Sequence, residues 1–176
     1  MGEGRLLGIA RRAAVRAPME TLDATFIGLA TGVEGDHRGR VRPGKIPKRQ
    51  VSILAREDWD AACAELGREI PWHLRRANLF IEGVRLPRWT GDTLCIGDHV
   101  RLRIMVETDP CFRMDEIAMG LQAALRPDWR GGICCRVLSE GPVAVGDRVW
   151  IEPAMITAQS VQAADAPLPS LRMAAN

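Results

Sequence analysis

The sequence predicts a mainly β fold, a β-barrel or closed sandwich of short strands with a few peripheral α-helices. Short apolar runs bounded by glycines, at 79–81 and 94–96, are typical of strands in a small sheet or barrel. Apolar side chains alternate along residues 100–106, a period of two that marks a half-buried strand. The chain has no GxGxxG motif and no regular βαβ alternation, which disfavours a dinucleotide-binding fold.

Before the alternating strand, the pattern predicts strands at 5–10, 24–30 and 49–54. The last two are separated by a long basic loop containing glycine and proline, and long loops inside compact domains are more often functional than idle. A helix is predicted at 57–66 because acids begin it, Gly67 ends it, and its apolar residues share one face.

After the alternating strand, Asp115 is predicted to cap a helix that carries Ile117, Leu121 and Leu125 on one face and ends at Pro127. Strands at 132–138 and 143–151 complete the domain. The predicted organisation is therefore a barrel domain at 1–153 and a C-terminal tail at 154–176, which is rich in Ala, Pro, Ser and Gln.

Composition excludes several classes of protein. The 176 residues are 47% apolar and 26% charged, which is typical of one globular domain. A net charge of +2 is too small for a dedicated nucleic-acid binder. No segment is long and apolar enough for a signal peptide or a membrane span, so we expect a cytoplasmic protein without membrane or nucleic-acid partners.

The five cysteines are expected to be reduced thiols, because no signal peptide is predicted and no CxxC motif occurs. Cys63 lies on the apolar face of the predicted helix, and Cys95 lies in an apolar strand, so both are expected to be buried. Cys134 and Cys135 should point to opposite faces of their strand. One of them could approach Cys111, either as a resolving thiol or in a metal site.

The segment ETDPCFRMD, residues 107–115, places Cys111 where a strand ends and shortly before a helix begins. Helix N-termini and cations favour the thiolate, and Arg113 is two residues away, whereas Asp109 and Asp115 oppose it. These features alone leave a reactive and a structural Cys111 equally open, since unpaired cysteines often serve as small buried hydrophobes.

Polar residues elsewhere suggest an anion site. Six basic residues lie within residues 38–49, either as a solvated loop or as a cradle for a phosphate. His37 lies in the glycine-rich turn before this run and could contact a ligand. Asn78 could bind the edge of a heterocycle through its amide, or could be an ordinary turn residue.

Several short motifs, in order along residues 5–152, resemble the MOSC domain, named for the C-terminal domain of molybdenum cofactor sulfurase. The match is closest to compact stand-alone bacterial members. Where relatives often show Gly-Asp-Arg-His, this chain has Gly-Asp36-His37-Arg38. The matching segments are 31–37 (TGVEGDH), 49–54 (RQVSIL), 76–83 (RANLFIEG), 91–94 (GDTL), 96–97 (IG), 109–111 (DPC), 131–132 (GG), 136–141 (RVLSEG) and 146–149 (GDRV).

The resemblance implies a predominantly β barrel with peripheral helices and a functional cysteine at Cys111. It implies two uses of that thiol. As a ligand to molybdenum in a pterin dithiolene cofactor, Cys111 would support an oxidoreductase that reduces N-hydroxylated compounds, a small-molecule substrate class, with an electron-donor protein. As a persulfide, Cys111 would make the protein a sulfur transferase supplied by a cysteine desulfurase. Family membership also carries an association with pyridoxal phosphate, to which no residue here is assigned.

We therefore predict molybdenum cofactor binding, with Cys111 as the catalytic residue and metal ligand. The residues predicted to shape or charge the cofactor site are Asp36, His37, Arg49, Arg76, Asn78 and Arg113. Sulfur transfer without a bound cofactor is the rival, and a non-catalytic module whose basic loop holds an anionic partner is the third possibility.

Overall fold

A computed structural model describes residues 2–154, within which the chain forms eleven strands and three α-helices. The strands are β1 (Gly4–Arg11), β2 (Glu20–Leu22), β3 (Ala24–Gly28), β4 (Gly32–Val33), β5 (Val51–Ala55), β6 (Leu79–Glu82), β7 (Thr93–Ile96), β8 (Val100–Glu107), β9 (Ile133–Ser139), β10 (Gly141–Ala144) and β11 (Arg148–Glu152). The helices are α1 (Arg56–Glu65), α2 (Arg113–Ile117) and α3 (Leu121–Ala124), with 3₁₀ turns at Trp72–Arg75 and Pro127–Trp129. Apart from Ala154, the predicted tail lies outside the described residues.

Seven strands close into a barrel in the order β1, β11, β7, β8, β9, β5 and β6. Closure occurs because β11 pairs on both sides, with Val149 opposite Ile96 of β7 and Gly4 of β1. Only β5 and β6 are parallel among these neighbours, and α1 lies in the crossover that parallel strands require. The barrel confirms the predicted fold class.

The four remaining strands lie outside the closed barrel. β2 extends the sheet beyond β1, and β3 pairs with β4 and β10 in a small second sheet. The turn after β4 meets the end of β1, where the His37 N–H donates to the Arg12 carbonyl at 3.0 Å. This contact brings residues 34–38 beside the exit of the first strand.

The strands bury apolar side chains on two sides. Ile53 and Ile81 point into the barrel, whereas the alternate positions Leu54 and Phe80 point outward and pack beneath the helices. α1 contributes Trp59 to this outer layer, as its apolar stripe predicted. The helices therefore cover one outer face of the barrel, next to the end of β8.

The prediction of a single helix after Cys111 is wrong. The chain forms α2 and α3, separated by a break at Gly120, whose φ of +91° lies in the left-handed region. Asp115 does not cap the first helix, because its carboxylate accepts the Gln122 N–H of the second at 2.9 Å. The apolar spacing nonetheless identified buried residues correctly, since Leu121 and Leu125 are fully buried. The predicted strand at 24–30 also ends early, at Gly28.

None of the helices formed by residues 2–154 is long and apolar enough to cross a lipid bilayer.

Gly132 lies directly before β9 and close to the end of β8. Of the glycines near the end of β8, we predict that it tolerates a side chain least. Its φ is +93°, its carbonyl accepts the Thr108 N–H at 2.8 Å, and a Cβ there would lie 2.2 Å from the Ile53 carbonyl oxygen. We expect Gly132→Ala to lower the free energy of unfolding in urea by at least about 3 kcal/mol, because backbone strain and a backbone clash add.

Gly44→Ala is the matched control for Gly132→Ala. Gly44 also has a positive φ, +70°, but a Cβ there meets no atom within 4 Å. Gly44→Ala should therefore lower the free energy of unfolding only by the cost of placing alanine at a positive φ, about 1–2 kcal/mol. Equal losses in the two variants would show that the contact with Ile53 is not what restricts Gly132.

Candidate functional site

Cys111 lies on an exposed segment between a strand and a helix. β8 ends at Glu107, the segment that follows has no regular structure, and α2 begins at Arg113. The Cys111 carbonyl accepts the Met114 N–H at 2.9 Å, which anchors the segment to the first turn of the helix. This placement at a strand exit agrees with the sequence prediction. The Cys111 side chain is open to solvent.

The other four cysteines are buried. Burial raises the pKa of Cys95 to about 12 and raises the pKa of Cys135 well above its ordinary value. Burial likewise raises the pKa of Cys63. These three thiols are packed and are disfavoured as thiolates, as expected for Cys63 and Cys95, so Cys111 is the accessible cysteine of the chain.

Asp36 and Asn78 meet at the base of the site. Asp36 is buried, and its carboxylate accepts the Arg12 N–H at 3.2 Å, the Arg38 N–H at 2.9 Å and the Asn78 side-chain N–H at 3.1 Å. These hydrogen bonds join the end of β1, the turn after β4 and the segment before β6. Such fully paired buried carboxylates fix the position of the backbone around them.

The Asn78 amide is fully engaged by the protein. Its nitrogen also donates to the Ala10 carbonyl at 3.2 Å, and its oxygen accepts the Ser52 N–H at 3.0 Å and the Ser52 hydroxyl at 2.9 Å. An amide has two donors and two acceptor positions, and all four are used here. Asn78 thus shapes the site by holding three strands and Asp36 in register.

Four arginines converge near this base: Arg12, Arg38, Arg76 and Arg113. The pKa of Arg12 is lowered, first by burial and then by repulsion from the other three, while Asp36 partly opposes the shift. None of the four forms an ion pair with any residue in 2–154. The cluster therefore carries excess positive charge, a feature of sites that receive anions.

A cavity of about 210 Å³ lies between Arg76 and Arg113. Arg76, which lines it, directly follows the 3₁₀ turn and has the left-handed conformation, with φ +64°. Arg113 is two residues after Cys111. Apolar side chains, among them Leu74 and Ile117, and the acidic side chain of Glu116 complete the lining. One cavity thus combines cationic and apolar walls next to the segment that bears the exposed thiol.

The family model described as the MOSC domain matches residues 33–150, more than half of the chain. The chain belongs to the MOSC domain family. A comparison with curated proteins gives no match.

Solved structures support the same fold for this MOSC domain. The YuaD protein of Bacillus subtilis is similar with a TM-score of 0.71 and 18% identity, over 88% of this chain and 100% of that one. YiiM of Escherichia coli has a TM-score of 0.61 and 16% identity, over 90% and 76% of the two chains. YiiM of Geobacillus stearothermophilus has a TM-score of 0.59 and 16% identity, over 85% and 73%.

Of the residues predicted for the MOSC site, Arg49 lies apart from the arginine cluster in its contacts, whereas His37 meets the cluster through its backbone N–H, which donates to the Arg12 carbonyl. The Arg49 side chain is exposed and makes no hydrogen bond within the described part of the chain, whereas its neighbour Gln50 is buried and bonds three backbone groups. The His37 ring is half-buried, and its Nδ1 is enclosed without a hydrogen-bond partner among residues 2–154. The structure therefore groups Asp36, Asn78, Arg76 and Arg113 more closely than the whole predicted set.

Sequence reasoning missed Arg12 and Arg75. Arg12 directly follows the last residue of β1 and is buried beside Asp36. Arg75 is also buried, and its Nη2 donates to the Thr108 carbonyl at 2.7 Å, beneath the segment that carries Cys111. The one feature of the sequence that could have pointed to them is their place in it, because each arginine borders an apolar strand or turn.

Proposed function

We propose that this MOSC protein binds the molybdenum cofactor, with the Cys111 thiolate as the protein's ligand to molybdenum. The observation that carries the proposal is the exposed Cys111 two residues before Arg113, which belongs to a group of four arginines without ion-pair partners in the described chain. Thiolate is a soft ligand suited to a metal–dithiolene centre. Guanidinium groups recognise the phosphate of such a cofactor through charge-assisted hydrogen bonds.

The residues fit a cofactor that brings most of the metal's ligands with it. Within residues 2–154 no group of three His, Cys, Asp or Glu side chains could hold a metal ion. A single protein thiolate is therefore suited to a metal already chelated by the pterin dithiolene. Arg76 and Arg113 would bind the anionic end, and Asp36 and Asn78 would hold the surrounding backbone.

When bound, the cofactor would supply oxygen-atom transfer, such as the reduction of an N-hydroxylated compound with electrons from a donor protein. The chain's own contribution would be to orient the ligand and to offer a partly apolar pocket. Leu74 and Ile117 line that pocket together with the two arginines. A small substrate with an apolar body would be bound there by exclusion of water.

Sulfur transfer is the second candidate, and the exposure of Cys111 favours it as well. A persulfide carrier needs an accessible thiolate and a sulfur donor such as a cysteine desulfurase, but no bound metal. A non-catalytic anion-binding module, the third possibility, would use the arginine cluster without the thiol. Both alternatives make different predictions about what the purified protein carries.

The test is to express the protein in a host that makes the molybdenum cofactor and to measure molybdenum, pterin and persulfide per chain. Near-stoichiometric molybdenum and pterin support the proposal. Persulfide on Cys111 without metal would favour the sulfur carrier. Absence of all three from a folded protein would contradict both thiol-based functions and leave the anion-binding module.

Removing one charge from the cluster should weaken retention of the cofactor. We expect Arg76→Gln to lower the affinity by about 10- to 100-fold, because a charge-assisted hydrogen bond to phosphate contributes about 1.5–3 kcal/mol. The loss should be smaller at high salt, where the wild-type attraction is already screened. The measurement is the pterin retained per chain after gel filtration at low and at high salt.

Arg103→Gln is the matched control for Arg76→Gln. Arg103 is exposed on β8 and does not contribute to the repulsion that lowers the pKa of Arg12. Arg103→Gln removes one positive charge from the chain, as Arg76→Gln does. An equal loss of pterin from both variants would show that net charge, and not the cluster, holds the cofactor.

A further inference from the structure

Cys134 is a buried cysteine whose sulfur has a polar side chain as its neighbour. It lies on β9 opposite Val106 of β8, and its neighbour Cys135 points into the barrel core. The Cys134 sulfur instead forms a hydrogen bond of 3.2 Å with the Thr108 hydroxyl, and Cys134 belongs to neither apolar cluster of the barrel. The two cysteines thus point to opposite faces, as the strand pattern predicted.

Arg75 lies close to this sulfur as a buried cation without a paired anion. Its Nη2 donates to the Thr108 carbonyl at 2.7 Å, but its Nε is enclosed without a hydrogen-bond partner among the described residues. Burial lowers the pKa of Arg75 to about 10, and negative charge on Cys134, and to a smaller extent on Cys111, would raise it again. Buried cations are normally paired, so an anionic sulfur would complete this arrangement.

A short tether connects the two sulfurs. Cys111 follows Thr108 by three residues, and the intervening Pro110 approaches Gly131, as Arg75 does. A Cβ on Gly131 would lie 3.1 Å from Arg75 Nη2 and 3.4 Å from Pro110 Cδ. The segment 108–111 has no regular structure and lies outside the barrel strands, so bringing the exposed thiol to Cys134 would require a shift of this segment and not of the barrel.

We propose that Cys111 and Cys134 form a redox-active dithiol pair that a peroxide oxidises to an intramolecular disulfide. The Cys111 thiolate attacks a peroxide oxygen, the O–O bond breaks, and Cys111 sulfenic acid and hydroxide form. The Cys134 thiolate then attacks the Cys111 sulfur, the S–O bond breaks, and hydroxide leaves. With hydrogen peroxide, the two thiols supply two electrons and two protons, and two water molecules result.

This inference does not require bound molybdenum, because the chemistry needs only the two thiols and the oxidant. Arg75 and the Thr108 hydroxyl are the polar groups beside the Cys134 sulfur that attacks. Once formed, the disulfide would remove Cys111 from both metal binding and sulfur transfer. The pair of Cys111 and Cys134 would therefore make the segment 108–111 sensitive to oxidation.

The test is peptide mapping of the full chain after oxidation. Dilute, reduced protein is treated with hydrogen peroxide, unfolded and blocked with N-ethylmaleimide in denaturant, and digested with trypsin without reductant. Trypsin cleaves after arginine and releases Cys111 in peptide 104–113 and Cys134 with Cys135 in peptide 131–136. We expect these two peptides to become cross-linked and the count of reactive thiols to fall by two. Wild-type protein that yields no cross-linked peptide would overturn the proposal.

Two alanine variants assign the bond within peptide 131–136. Cys134→Ala should lower the yield of cross-linked peptide by at least about tenfold and leave Cys111 as sulfinic or sulfonic acid, since no thiol then resolves the sulfenic acid. Cys135→Ala should retain the cross-link. A cross-link that persists in Cys134→Ala and disappears in Cys135→Ala would contradict the assignment.

The two proposals can fail separately. Cys134→Ala should bind molybdenum and pterin as the wild type does when prepared without oxidant, so a missing cross-link leaves cofactor binding intact. Conversely, a protein that never carries molybdenum can still form the disulfide. Thermal unfolding of each variant confirms that the comparison is made on folded protein.

Discussion

Replacing Cys111 with serine is expected to remove bound molybdenum from the protein. Serine keeps the size of the side chain, but its hydroxyl does not ionise near pH 7 and is a hard ligand, whereas thiolate is soft. We expect metal retention to fall by at least about 100-fold, more than the 10–100-fold typical of losing an outer-shell partner. The measurement is molybdenum and pterin per chain, from the same host and purification as the wild type.

Cys95→Ala is the control for this substitution. Cys95 is fully buried on β7, and burial raises the pKa of its thiol to about 12, so its loss should not change the molybdenum content. Equal molybdenum in Cys111→Ser and the wild type would exclude the ligand role. Persulfide that is lost with Cys111 while molybdenum is absent from both proteins would identify the sulfur carrier instead.

The barrel could be predicted because its strands depend on local patterns. Alternation along residues 100–106 and short apolar runs at 79–81 and 94–96 require only side-chain burial, and each became a strand. The pattern failed at Gly120, where the apolar spacing continued through a residue that takes the left-handed conformation. A spacing rule cannot detect such a break, because Leu121 and Leu125 pack equally well from a second short helix.

The site was predicted less completely, because it is assembled from distant parts of the chain. Cys111 could be singled out from its neighbours in sequence and from the family resemblance. Arg12 meets Asp36 only because the turn after β4 folds back onto the end of β1, 24 residues away in sequence. Arg75 and Cys134 likewise come together through Thr108, and no short motif contains all three.

Replacing Asn78 with alanine is expected to give a large loss of stability. The substitution removes every side-chain hydrogen bond of Asn78 and leaves the Asp36 carboxylate, the Ser52 N–H and the Ala10 carbonyl each short of a partner in a buried region. Unpaired buried groups cost about 1–3 kcal/mol each, so we expect a loss of about 3–5 kcal/mol. Urea unfolding should show a lower midpoint with an unchanged slope.

Ser52→Ala is the matched control. It removes one hydroxyl from the same network, but the Ser52 N–H still donates to the Asn78 amide oxygen at 3.0 Å and the amide still donates to Asp36. The expected loss is about 1 kcal/mol, the net contribution of one neutral hydrogen bond. A loss in Asn78→Ala no larger than in Ser52→Ala would show that Asp36 does not depend on Asn78.

Asn78→Asp separates the hydrogen bond from the shape of the side chain. The new carboxylate has nearly the same shape as the amide, but it replaces the donor at 3.1 Å from Asp36 with a second negative charge. Two such carboxylates share a proton, so the pKa of the pair in the folded protein is raised above that of aspartate in the unfolded chain. The folded state then binds more protons than the unfolded state, and the variant loses stability as pH rises through the raised pKa. The deficit relative to wild type should therefore be large at pH 8 and shrink toward pH 4.5, whereas a deficit that does not change with pH would mean that the two carboxylates do not meet.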